Sequence, residues 1–197
     1  MADIAMTTLD ETLTRRVTAR GRITFAEFME LALYWPNGGY YIGASIEDTA
    51  SDYYTSPSAH SAFGALLSLH LEEAWRLLDR PDPFVVVELG AGSGRLAGDI
   101  TRYAVHLDGS FRQALRYVAV DRAPREQLAE QAVQWLEAAD IPLRGVTGCI
   151  LSNELLDAFP VHRATVEGGK LREVYIALGA DDGFVEGVGD LSTPALE

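Results

Sequence analysis

The spacing of apolar positions divides the chain into helical and extended segments. A three-to-four-residue repeat predicts a short helix over 9–17 and a second helix over 25–33, which begins at a capping threonine, Thr24. The same repeat predicts a longer helix from about 58 to 79. Continuous apolar runs over 84–89, 116–120 and 149–152 predict buried strands. Because strands and helices alternate in the middle of the chain, we expect a parallel, right-handed α/β sheet.

The segments that follow are less regular. A third helix is predicted after Asp121, with Pro124 near its first turn and four residues facing inward, namely Leu128, Ala132, Trp135 and Leu136. The strand-like segments 161–166 and 171–178 flank the sequence EGGK and predict a β-hairpin, and another short strand is expected near 184–188.

This pattern predicts three parts. Residues 1–80 form an N-terminal helical extension, 81–160 form the sheet core, and 161–197 form a truncated β-hairpin insertion. The later strands of an α/β sheet are not recognisable in the sequence. We therefore expect the sheet to be incomplete towards the C-terminus.

Composition and charge restrict the possible partners. The 197 residues are 48% hydrophobic and 23% charged, as in ordinary soluble globular proteins. A formal net charge of −13 argues against non-specific binding to nucleic acid or to anionic membranes, and it is compatible with a basic protein partner. No apolar stretch of the sequence is long enough to span a bilayer, so membrane insertion is not expected. Cys149 is the only cysteine, and the four histidines lack the spacing of metal ligands, so we expect neither a disulfide nor a metal site. The N-terminus has no signal-like apolar segment, which predicts a cytoplasmic protein.

A glycine-spaced turn between a strand and a helix is the first candidate for chemistry. The strand ends at Glu88 and runs into Gly90, Gly92 and Gly94. A carboxylate in this crevice would repel a pyrophosphate, but it suits a ligand with positive charge and with hydroxyl and amine donors, such as S-adenosylmethionine (SAM). A dinucleotide-binding oxidoreductase is disfavoured for two reasons. Glu88 lies beside the turn, and the glycines do not have the G-x-G-x-x-G spacing of that class. The glycines alone are also compatible with a tight turn that binds no ligand.

Acidic residues follow the next two strands. Asp121 ends one strand, where it can accept hydrogen bonds from both hydroxyls of a ribose or cap the following helix. Asn153, Glu154 and Asp157 follow the other strand and should line the same crevice. Glu154 and Asp157 are three residues apart, so on a shared helical face they could hold a guanidinium or ammonium group and help to remove its proton. Helix capping and solvation are the alternative interpretation.

A loop rich in tyrosine and hydroxyl side chains, 51–57, precedes the long predicted helix. It reads equally well as a plain polar loop or as a segment that closes over a cofactor. The residues alone do not decide between these two interpretations.

Four segments together resemble a known family. They are FAEFMELALYWPNGGYY (25–41), DYYTSPSAHSAFGALLSLHLEEAW (52–75), VVVELGAGSGRLAGDI (85–100) and LSNELLDAFPVHR (151–163). In this order they resemble the MidA and NDUFAF-type class I SAM-dependent methyltransferases. The resemblance implies a Rossmann-like methyltransferase sheet with an N-terminal helical extension and a hairpin insertion.

The resemblance also implies roles for individual residues. Glu88 and the turn glycines Gly90, Gly92 and Gly94 would line the SAM pocket, and Asp121 would hold the ribose. The loop residues Asp52, Tyr53, Thr55 and Ser56 would pack over the cofactor. Asn153, Glu154 and Asp157 would lie at the boundary between cofactor and substrate as the catalytic group.

The implied function is transfer of a methyl group from SAM to a protein side chain, with arginine as the expected acceptor. The resemblance further implies a link to respiratory complex I assembly, with a respiratory-chain subunit as the expected protein substrate, and a homodimer is a further expectation. The alternative is a non-catalytic assembly or scaffold module that keeps the SAM-binding fold, or a fragment that lacks turnover.

Overall fold

The computed structural model describes residues 8–43, 60–122, 132–138, 141 and 143–197. The chain groups into two compact units, one of residues 1–44 with 156–197 and one of residues 45–155. This grouping cuts across the boundaries expected at residues 80 and 160. The helix before residue 80 packs with the parallel sheet, and the C-terminal hairpin shares its unit with the N-terminal helices. The three-part division stays a prediction.

The regular elements of the described residues agree largely with the predicted ones. The helices are α1 (Leu9–Arg20), α2 (Phe25–Tyr34), α3 (Tyr40–Gly43), α4 (Ala62–Leu77), α5 (Arg95–Tyr103) and α6 (Gly109–Ala114). The strands are β1 (Ile23–Thr24), β2 (Phe84–Leu89), β3 (Leu115–Asp121), β4 (Val133–Glu137), β5 (Gly148–Ser152), β6 (Ala164–Glu167), β7 (Lys170–Leu178) and β8 (Phe184–Gly189). Short 3₁₀ turns lie at Ala104–His106, Leu156–Ala158 and Pro194–Leu196. Among these helices, none combines the length and the apolar character that crossing a membrane requires.

The unit of residues 45–155 contains the expected parallel sheet. Its strands lie in the order β4-β3-β2-β5, and every pairing between them is parallel. The carboxyl ends of all four strands therefore meet at one edge of the sheet, which is where open α/β sheets bind their ligands.

The helix predicted over Trp135 and Leu136 is wrong, because these residues lie in β4. Alternate residues of this strand are shielded and exposed: Val133 and Trp135 are half-buried, and Gln134 and Leu136 are exposed. This two-residue period belongs to a strand that pairs with β3 along its whole length. Ala132 lies in a turn just before the strand. The remaining part of the predicted helix, including Pro124 and Leu128, lies outside the described residues.

The two-residue period of β2 determines which side chains enter the main core. Phe84 and Val86 point to the face that α4, α5 and α6 cover, where they pack with buried residues such as Trp75 and Phe111. Glu88 follows at the same period and enters this covered face as well. An acidic residue is therefore placed at the end of an otherwise apolar row.

The other unit contains a second, antiparallel sheet around β7. The predicted hairpin is confirmed: β6 and β7 pair across a two-residue turn in which Gly168 and Gly169 have φ angles of 58° and 76°. Positive φ at both central residues is the conformation that two-residue hairpins prefer. Strand β8 and the short β1 also pair with β7. Helices α1 and α2 pack with β1 and β7 around an apolar core. The buried members of this core are Leu13, Val17, Ile23, Leu31 and Ile176.

The predicted helix start at Thr24 is confirmed, since its hydroxyl accepts from the Glu27 amide at 3.1 Å. The carboxylate of Glu27 forms ion pairs with Arg16 at 2.8 Å and Arg20 at 2.9 Å. Glu27 thereby fastens α2 to α1.

Candidate active site

The structure brings together most of the described candidate residues at the carboxyl edge of the parallel sheet. Glu88 is the penultimate residue of β2, and the glycine turn follows this strand. Asp121 ends β3, and Asn153 and Glu154 follow β5. Asp157 lies in the 3₁₀ turn Leu156–Ala158 of the other unit. The predicted cofactor-covering residues lie outside the described part of the chain; they are Asp52, Tyr53, Thr55 and Ser56.

Glu88 is the most unusual ionisable group of this edge. Its side chain is 4% exposed, and its Oε2 accepts a hydrogen bond from the hydroxyl of Tyr117 at 2.8 Å. Burial raises the pKa of Glu88 to about 7; the Tyr117 hydrogen bond lowers it, and the charge of nearby Asp121 raises it. This carboxyl group is therefore poised to change its charge near neutral pH.

Tyr117 is a further residue of this site and is not among the residues predicted from the sequence. Burial, reinforced by the charge of Glu88, raises its pKa, so it stays a hydrogen-bond donor. Its side chain lies on the same face of β3 as that of Asp121, four residues later, because side chains alternate along a strand. The two-residue period of β3 could therefore have placed Tyr117 on the same face of the sheet as Asp121.

The backbone amides of the glycine turn are engaged within the protein. Those of Gly90 and Ala91 donate to the carbonyl of Val120 at 2.9 and 3.2 Å. The Gly92 amide donates to Oδ2 of Asp121 at 2.8 Å, and the Gly94 amide donates to the carbonyl of Ala91 at 2.8 Å. A phosphate-binding turn directs such amides at its anion. Their engagement here, together with the two carboxylates, disfavours a pyrophosphate ligand.

The three turn glycines have different surroundings, although all have positive φ angles of 71°, 56° and 76°. A Cβ added to Gly90 would lie 2.7 Å from Cδ1 of Leu155, and one added to Gly94 would lie 2.4 Å from Cζ2 of Trp135. At Gly92 an added Cβ would meet no described atom within 4 Å. Within the described residues, Gly92 is therefore the point of the turn that a ligand can approach most closely.

The segment after β5 adds polar groups beside this turn. Glu154 is exposed and has a φ of 48°, in the left-handed region that residues other than glycine seldom adopt. Such strain is common at functional sites. The helical turn begins only at Leu156, so the shared helical face expected for Glu154 and Asp157 is wrong. The left-handed conformation at Glu154 interrupts the chain before a helix can start.

The fold and the edge define the class of the protein. A parallel α/β sheet carries a glycine turn after one strand and a carboxylate at the end of the next, as in Rossmann-like ligand-binding domains. The carboxylates and the engaged amides fit a ligand with a cation and with amine and hydroxyl donors better than they fit a phosphate.

The chain belongs to the family described as "Putative S-adenosyl-L-methionine-dependent methyltransferase", whose model matches residues 66–197. This finding confirms the family expected from the four sequence segments.

Curated relatives and a solved structure agree with this family. The chain is 28% identical over 203 residues to the mitochondrial protein arginine methyltransferase NDUFAF7 homolog of Drosophila melanogaster, and the match covers 90% of this chain and 46% of that protein. It is 28% identical over 189 residues to human mitochondrial protein arginine methyltransferase NDUFAF7, with 82% and 43% covered. The chain thus spans about half the length of the curated relatives that it matches.

The crystal structure of a COG1565 superfamily member from Burkholderia thailandensis, bound to S-adenosyl-homocysteine, has a similar fold. Its TM-score is 0.74 at 23% identity, and the match covers 100% of this chain and 54% of that one. The likeness confirms the predicted Rossmann-like methyltransferase fold.

Proposed function

We propose that the edge formed by Glu88, Gly92 and Asp121 binds SAM, and that the protein transfers its methyl group to a protein nitrogen. The main support for this proposal is the buried carboxyl group of Glu88, which lies four residues before the open Gly92. Four backbone amides of the glycine turn are engaged within the protein. Two acids and an accessible backbone suit a ligand that brings a cation, an amine and ribose hydroxyls. Family membership supports the same ligand.

The residues of this edge have separable tasks in the proposed site. Gly92 lets the ligand approach the backbone closely, because it has no side chain and no described atom lies within 4 Å of its Cβ position. Asp121 accepts a hydrogen bond from the amide of Gly92 and thereby fixes the turn. In our proposal its carboxylate also accepts hydrogen bonds from the ribose hydroxyls. Glu88 supplies negative charge when ionised, which favours a cationic ligand. Gly90 and Gly94 allow the turn to pack closely.

When bound, SAM supplies a methyl group on a sulfonium, and transfer of this group to a nitrogen leaves a proton that must be removed. Glu154 presents an exposed carboxylate after β5, and Asn153 beside it is half-buried. In our proposal these two residues bind and orient the acceptor nitrogen, and Glu154 takes up the proton. Asp157 is proposed as a third member of this group, and Asp52, Tyr53, Thr55 and Ser56 as the cofactor cover.

The proposed acceptor is an arginine side chain of a protein. The relatives from fly and human are named protein arginine methyltransferases, and the net charge of −13 favours a basic partner. A respiratory-chain subunit as substrate, a link to complex I assembly and a homodimer remain parts of this proposal. The relatives carry the word mitochondrial in their names, whereas a cytoplasmic location was predicted for this protein and stays a prediction.

Transfer of a labelled methyl group from SAM to peptides tests the proposed reaction. We expect label in a basic peptide that contains arginine and none in the matched peptide with lysine at the same positions. Glu154→Gln should lower the rate by about 100-fold if the carboxylate takes up the proton, while SAM binding changes little. An unlabelled arginine peptide, or equal labelling of both peptides, would contradict arginine methylation by this chain.

A further inference from the structure

Two large apolar side chains pack on the glycine turn from opposite edges of the parallel sheet. Trp135 belongs to β4 and Leu155 follows β5, and these two strands flank the pair β3-β2. They are separated by only 20 positions in sequence, yet they meet the turn at different ends. Trp135 fills the space over Gly94 and Leu155 fills the space over Gly90.

The contacts with Trp135 follow from the strand register. Glu88, Ala119 and Trp135 form one row across β2, β3 and β4. Ala119 is the small member of that row and is fully buried, so the indole can extend over it towards the start of α5. Cζ2 and Cη2 of Trp135 lie 2.4 and 2.6 Å from the position of a Cβ at Gly94. Only glycine leaves room for this approach.

Leu155 contacts the other end of the turn. Its Cδ1 lies 2.7 Å from the position of a Cβ at Gly90. Leu155 directly follows Glu154, which has a φ of 48°. The backbone direction at Glu154 therefore helps to set where the Leu155 side chain meets the glycine turn. The contact therefore links the shape of the glycine turn to the conformation of Glu154.

From these contacts we propose that Trp135 and Leu155 are positioning residues that clamp Gly90 and Gly94 and leave Gly92 as the approach point for the cofactor. The inference rests on the proposed SAM site. A turn that is already held in its bound shape loses less conformational entropy when the ligand binds. Both side chains act through the turn, so their removal should weaken binding even though Glu88, Gly92 and Asp121 are unchanged.

The test compares the affinity for S-adenosyl-homocysteine among matched variants by calorimetry. Trp135→Ala and Leu155→Ala should each weaken binding by about tenfold, and Trp135→Phe and Leu155→Met should restore most of the affinity. Leu67→Ala is the control, because Leu67 belongs to α4 and is half-buried against the main core rather than against the glycine turn. This control should lose stability and keep its affinity. Should either alanine variant fail to fold, Trp135→Leu or Leu155→Val takes its place, with a smaller loss expected.

A spectroscopic measurement separates positioning from a general loss of stability. Addition of S-adenosyl-homocysteine should change the tryptophan fluorescence of the unchanged chain, and this change should be largely absent in Trp135→Phe, which retains Trp35 and Trp75. If the unchanged chain binds the ligand but the alanine variants bind equally well, the clamp is refuted and the SAM site stands. If the unchanged chain does not bind the ligand, both proposals are refuted.

Discussion

Gly92→Val is expected to abolish measurable binding of S-adenosyl-homocysteine while the protein still folds. Gly92 has a φ of 56°, and a Cβ there meets no described atom within 4 Å. A valine would therefore cost about 1–2 kcal/mol of backbone strain and would project into the space through which the ligand reaches the backbone. We expect the affinity to fall by at least about 100-fold, which corresponds to roughly 3 kcal/mol.

Gly21→Val provides the matched control for this substitution. Gly21 also has a positive φ, 75°, and a Cβ added there likewise meets no described atom within 4 Å. It ends α1 in the other unit, so its valine variant should show similar strain and unchanged affinity. Calorimetric titration and urea unfolding of both variants separate the two effects. Wild-type affinity in Gly92→Val would show that the ligand does not approach the turn at this point.

The second large effect concerns pH. Affinity for S-adenosyl-homocysteine should rise between pH 5.5 and pH 8, because its amino group is cationic and favours the ionised form of Glu88. In the ligand-free protein the pKa of Glu88 is about 7, so binding at pH 5.5 requires the loss of a proton. We expect binding to be up to about 30-fold weaker at pH 5.5 than at pH 8. In Glu88→Gln the affinity should be lower at pH 8 and nearly independent of pH.

Ionisation of Glu88 lowers the stability of the ligand-free protein, although it raises the affinity for the ligand. Burial raises the folded-state pKa of Glu88 from 4.5 to about 7, so its contribution to stability is full below pH 4.5 and is lost as the pH rises through 7. This difference between the two pKa values corresponds to roughly 3 kcal/mol of unfolding free energy. Glu88→Gln should therefore stabilise the ligand-free protein at pH 8, and the gain should shrink at pH 5.5.

Glu72→Gln is the control for the pH measurements. Glu72 is another buried carboxylate, and it accepts from the Asp108 amide at 2.8 Å and pairs with Arg76 in the helical layer. Its replacement should leave the pH dependence of binding intact. A pH dependence that persists in Glu88→Gln would assign the titration to a different group.

The sequence predicted those features of the fold that depend on local patterns. Continuous apolar runs identified β2, β3 and β5, and the capping threonine identified the start of α2. The glycine turn and the residues after β5 were also placed at one edge, since parallel strands end together. Strand β4 was mistaken for a helix because Trp135 and Leu136 also fit a helical repeat continued from Leu128. Only pairing with β3 separates the two interpretations.

The remaining features of the site depend on contacts between residues distant in sequence. The hydrogen bond from Tyr117 to Glu88 joins residues 29 positions apart. The two-residue period places Tyr117 on the same face as Asp121, but it does not show that Glu88 is its hydrogen-bond partner. The packing of Trp135 on Gly94 depends on the sheet order and on the small Ala119 between them. Likewise, the left-handed conformation of Glu154 follows from how the chain leaves β5. Such contacts can be predicted only when the order and the register of the paired strands are known.

Parallel calorimetric titrations of the unchanged chain with S-adenosyl-homocysteine and with NAD distinguish the proposed SAM site from a dinucleotide site. We predict binding of one S-adenosyl-homocysteine per chain, with a dissociation constant on the order of micromolar or tighter, and no binding of NAD. Binding of NAD with no binding of S-adenosyl-homocysteine, or no binding of either, would contradict the assignment of this edge as a SAM site.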